Sequence, residues 1–143
     1  MAQVPERDLE GAPTQIARWG AQPRPVDDAL VERWVQEELW ENDEPAVRRY
    51  YRDLVEGVEI PDRVPIYTAM RVDDRDHVWL KQWREPGATG EAAWWVFSPD
   101  GTLQGEVLIP AALEVAEITG DAVVGIVRDE FGVERVRVHR LLR

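Results

Sequence analysis

Apolar residues recur along this chain with two different periods, and the change from one to the other divides it. From Asp27 the spacing is helical, with Leu30, Val31, Trp34, Val35 and Leu39 on one stripe and Asp27 or Asp28 placed to cap it. That helix is expected to end near Trp40. A second is expected after Asn42 or Asp43 as cap, with Pro45 in its first turn, Val47, Tyr50, Tyr51, Leu54 and Val55 on its apolar side, and Gly57 as its stop. Beyond Pro61 and Pro65 short apolar runs alternate with turn residues. They predict strands at 67–72, 77–83, 92–97, 103–110, 113–118, 122–128 and 133–142, a seven-strand meander.

The third of those turns organises the rest. Pro99 presets the first corner, Asp100 bonds its own backbone, and Gly101 accepts a positive φ, so 98–101 reads as a hairpin tip. The strand before it, Trp94, Trp95, Val96 and Phe97, is apolar without interruption, whereas a strand with one wet face would alternate. Both of its faces are expected to be covered. With no crossover helices between these strands, that implies sheets stacked face to face.

Upstream of the helices the pattern is weaker. Residues 1–12 read as a ragged start, and residues 14–19 as an isolated strand within an N-terminal tail that runs to Pro25. The division expected is therefore a tail at 1–25, a two-helix segment at 26–64, a four-stranded unit at 65–110, and an incomplete unit at 111–143. The two β units repeat: Met70 Arg71 Val72 Asp73 to Leu80 overlays Ala116 Glu117 Ile118 Thr119 to Ile126 strand for strand.

Residues 69–73, 78–80, the run Trp95 to Gly101, Gly105 Glu106 Val107 and Leu108 Ile109 Pro110 resemble the last blades of bacterial six-bladed β-propeller proteins of the NHL/TolB-like type. Ile118 Thr119 Gly120 Asp121 and Asp129 to Glu134 are similar to their closing segment, and residues 14–64 to the end of a preceding blade and its helical insertion. The resemblance implies a mainly β fold of two antiparallel propeller-type blades with an N-terminal two-helix insertion. Six blades of about 40–50 residues need a longer chain. The expectation is thus a partial propeller, with two bare outer sheet faces and an open edge at the last repeat.

Charge and composition narrow the function. The net charge is −11 at pH 7, and with no basic stripe to offset it the balance excludes non-specific binding to nucleic acid or anionic membrane. The acid is concentrated at 1–64. The absence of cysteine removes disulfides, thiol catalysis and Cys-ligated metals. No signal peptide and no apolar stretch of spanning length is present, so a soluble chain, cytoplasmic by default, is expected.

Candidate chemistry is sparse. Asp73, Asp74 and Asp76 resemble the start of a calcium loop, but the loop glycine and distal glutamate are missing and an acidic turn accounts for them. His77 and His139 are the two histidines, too far apart in sequence to suggest a metal site or a base. Glu37, Glu38, Glu41, Asp43 and Glu44 read as a solvated helix end. No nucleophile elbow, phosphate loop or zincin helix occurs. No catalytic, cofactor or metal residue is therefore assigned. Seven tryptophans point to an indole-rich core, and Trp83 and Trp94, flanking the loop 84–90, are the pair expected to be partly exposed and the candidates for touching a ligand or partner. The functional expectation is a non-enzymatic propeller-type binding or scaffold module that associates with another chain or with itself. A propeller-type hydrolase or lactonase-like fragment is the alternative.

Overall fold

The computed structural model describes residues 2–7, 13–39 and 44–142. The protein is mainly β, with two antiparallel sheets of four and three strands, a terminal hairpin and two short helices. Two compact units are present: 1–22 with 66–82 and 89–143, and 23–65 with 83–88.

In the first unit, β1 (Ala2–Arg7) pairs antiparallel with β2 (Pro13–Trp19), from Ala2↔Trp19 to Arg7↔Pro13. This corrects two expectations, the ragged start and the isolated strand at 14–19. Pro5 misleads because proline excludes a central strand only. In a two-stranded ribbon each strand is an edge, where proline is tolerated.

The four-stranded sheet is a plain meander of β3 (Tyr67–Val72), β4 (Val78–Gln82), β5 (Glu91–Phe97) and β6 (Leu103–Pro110). The three-stranded sheet follows with β7 (Glu114–Ile118), β8 (Ala122–Arg128) and β9 (Glu134–Arg140). These are the seven strands expected.

Three of their turns share one construction. Asp73, Ser98 and Asp129 each donate their N–H to the carbonyl four residues on, at 3.0, 2.9 and 3.1 Å, and accept from the N–H three residues on. The fourth residue of each takes a left-handed φ: 61° at Asp76, 82° at Gly101 and 76° at Gly132. This is a type I turn closed by a bulge, whose twist suits right-handed strands. Asp76 fills the glycine position because a short polar side chain tolerates that region.

The turns fix the register, and the register fixes the core. Trp79, Ala92, Trp94 and Ile109 on one face of the four-stranded sheet pack with Leu113, Val115, Ile118 and Val123 of the three-stranded unit. Arg71 Nε donates to Val115 O at 3.1 Å, a polar tie between β3 and β7. On the opposite face Leu80 and Phe97, both 0% exposed, form a second cluster under Trp19. The Trp19 ring lies 5.0 Å from Phe97 and 5.4 Å from Trp95. The four-stranded sheet is thus covered on both sides, as the run 94–97 requires. One of the two outer faces expected to be bare is instead partly closed by the terminal hairpin, because Trp19 offers a large apolar surface at the end of β2.

In the second unit, α1 (Asp28–Leu39) is capped by Asp27, whose Oδ1 accepts from Leu30 N at 2.8 Å. α2 (Pro45–Gly57) starts on Pro45, where the missing N–H is harmless. The caps expected at Asn42 or Asp43, and Trp40, Glu41 and the helix end there, lie outside the described residues. Antiparallel contacts Val26 N to Asp62 O at 2.9 Å and Val64 N to Arg24 O at 3.0 Å tie the segments flanking the helices together. The Glu85 carboxylate pairs with Arg24 and Arg33.

Candidate functional site

Three places combine exposure with a defined arrangement of side chains. The first is a cleft of about 460 Å³ in the first unit, lined in part by Asp73, Arg75, His77, Trp79, Glu106 and Thr119. Asp73 is its buried carboxylate. Oδ1 accepts from Arg75 N and His77 N, each at 2.9 Å, and meets His77 Nδ1 at 3.2 Å; Oδ2 accepts from Trp79 Nε1 at 3.1 Å. Burial alone would raise its pKa, but the donors from His77, Trp79 and Arg75 together outweigh it and hold the carboxyl below the usual range.

An aspartate beside a histidine is the arrangement that orients a general base. Here, however, both carboxylate oxygens are spent on closing the turn and on holding the core indole. Thr119, the hydroxyl in the cleft lining, is bonded to Asp121 Oδ1 at 3.1 Å and Ala122 N at 3.1 Å. Asp73 is therefore a turn residue, with Asp74 and Asp76 exposed beside it. Among the described residues no group of three or more His, Asp or Glu is arranged to hold a metal.

The second place lies in the helical unit. Leu30, Val31, Trp34, Leu54, Val58 and Trp83 are among the residues lining an almost wholly apolar groove of about 370 Å³, in which Arg63 is the one charged side chain among the described residues. The helix stripes expected to be packed are only partly so: Leu30 is buried, but Trp34 is 43% exposed.

The third is the outer side of the three-stranded sheet. Val124 pairs with Val138, and Ile126 with Val136, which places these four β-branched side chains together on the face away from Val123 and Ile118. Val136 and Val138 are 71% and 65% exposed. β9 is exposed at every position and forms an edge of its sheet. At the turn end of this surface Arg128 bonds Glu134 at 2.8 Å and lies 3.3 Å from Glu114; the bonding to Glu134, and then the two charges, push its pKa up.

Neither a family model, nor a curated protein, nor a solved structure matches this chain. The site residues are therefore weighed on geometry alone. Trp83 is half-buried and lines the apolar groove. Trp94 is 2% exposed in the inter-sheet core, so the partial exposure expected of it does not occur. Trp94 pairs with Val107 and shares a face with Ala92, and that face is turned into the core. His139 is exposed on β9, and Glu37 is exposed on α1. The surface that sequence reading did not resolve is the Val124, Ile126, Val136, Val138 face. Its signal was the alternation Arg135, Val136, Arg137, Val138, His139, which gives a strand one apolar face.

Proposed function

We propose that this protein is a non-enzymatic β-propeller-type binding module that associates with another chain or a second copy through the uncovered end of its sheet stack. The observation that carries the reading is the exposed pair Val136 and Val138 on an open edge strand. Natural sheets blunt or cover such edges, and an apolar face beside one is a template for association. A partial propeller accounts for the arrangement, since the next blade of a ring would stack on this face. Among the described residues no helix is long and apolar enough to cross a membrane. The alternative, a hydrolase or lactonase-like fragment, has no converging acidic or histidine cluster among the described residues to build on.

Amide hydrogen exchange on dilute, monomeric protein tests the reading. Val136 and Val138 amides should exchange much faster than those of β5, which is paired on both sides. Equal protection in β9 and β5 of the monomer would mean the edge is covered from within, and the module would have no free end.

A further inference from the structure

The binding reading leaves the partner's chemistry open, and β9 itself supplies it. The bonds Asp129 N to Val133 O at 3.1 Å and Leu141 N to Asp121 O at 2.8 Å bracket the β8–β9 ladder. Bonded and non-bonded pairs alternate along an antiparallel ladder. Arg135, Arg137 and His139 therefore pair inward with Val127, Gly125 and Val123, while Glu134, Val136, Val138 and Arg140 turn their N–H and C=O groups to the open side. Side chains follow the same parity. Arg135, Arg137 and His139 share one face, and Val136 and Val138 share the other.

The geometry points to an extended segment of alternating acidic and apolar residues as the partner, added beside β9 as a fourth strand of the three-stranded sheet. This rests on the binding reading and specifies it. Main-chain bonds to the open groups supply affinity, and side chains on the two faces supply selectivity. Acidic residues of the incoming strand fall beside Arg135, Arg137 and His139, and apolar ones beside Val136 and Val138. Among the described residues Arg137 and Arg140 have no ion-pair partner, while Arg135 lies 3.3 Å from Asp129 at the turn.

A second copy of β9 fits poorly. A two-fold antiparallel pairing in one continuous sheet keeps each face with its like, so the basic residues of the two strands would oppose one another, which is unfavourable. The chain's net charge of −11 does not prevent an acidic strand from docking. At physiological salt distant charges are screened beyond about 8 Å, and the arginines act at contact.

The test titrates the full chain against the capped peptide Val-Glu-Val-Glu-Val-Glu-Val, its lysine counterpart, and a form with proline at the central valines, read by fluorescence anisotropy. The glutamate peptide should bind about tenfold or more tightly than the lysine peptide, taking each cross-strand charge pair as roughly two- to fivefold. The proline form should not bind, because it lacks the backbone donors. Arg137→Glu should abolish or reverse the preference and Arg137→Gln reduce it, with the circular dichroism of both variants unchanged. Equal affinity for the two charged peptides, indifference to Arg137→Glu, or no binding at all by a protein whose Val136 and Val138 amides exchange freely would each overturn the acidic-strand assignment and leave the binding reading standing. Protected Val136 and Val138 amides in the monomer would overturn both.

Discussion

Asp73 concentrates more of this structure than any other polar side chain. It closes the β3–β4 turn through two backbone N–H groups and holds the indole of Trp79, which belongs to the inter-sheet core. Replacing it with alanine leaves those donors without their acceptor in a partly buried place. The expected cost is about 2–4 kcal/mol, read as a lowered midpoint in urea with unchanged slope. Asp73→Asn keeps the turn acceptor but sets an amide against Trp79 Nε1, and should cost less. The folded-state pKa lies below the ordinary 3.8, so the stabilisation is fully present above 3.8 and is lost as pH falls through the lower folded value. Acid titration of the wild type should therefore show a loss of stability below pH 3.8 that is absent from Asp73→Asn. At the same scale, turn chemistry was legible in the sequence, since Asp73, Pro99 to Gly101 and Asp129 to Gly132 act locally. The burial of Trp94 was not, because it depends on the β5–β6 register and not on nearness to a loop.

Among the elements, β8 shows how closely the strands are fitted. A Cβ added at Gly125 would meet Glu114 O at 2.5 Å and Leu113 Cγ at 2.7 Å. The carbonyl belongs to β7 and cannot move without breaking the ladder. Gly125→Ala should accordingly destabilise by roughly 1–3 kcal/mol through overpacking, although alanine is ordinarily the better strand residue of the two; thermal unfolding checks it. Strand existence was readable because Val, Ile and Trp runs are punctuated by turn residues. β1 was not, because its charged residues and Pro5 carry no apolar alternation and its pairing is made by β2. The two helices were readable from their stripes. What covers a stripe is a tertiary fact, and here Trp34 and Leu54 remain open in the groove.

At the scale of the whole β unit, the layering is asymmetric. One face of the four-stranded sheet meets the second sheet, the other meets Trp19, and the outer side of the three-stranded sheet meets solvent. The apolar part of that outer side is Val124, Ile126, Val136 and Val138, far less than the roughly 800 Å² per partner of a stable complex. Self-association of the isolated protein through this face should therefore be weak, on the order of 0.1 mM or above. Light scattering over that range should show a rising mass that Val138→Lys removes; a mass constant in both proteins would show that copies of the chain do not meet there. The stacking of sheets was legible from residues 94–97, which cannot be wetted on either side. The identity of each cover was not, since it joins residues remote in sequence. That remoteness has a consequence in time. The meander hairpins close over short loops, whereas Trp19 must find Leu80 and Phe97 across 61 and 78 positions of sequence, a search whose entropy is spent before any contact rewards it. Seating of the terminal ribbon is then expected late in folding, and until it happens the greasy back of the central sheet is what a folding molecule would show its neighbours.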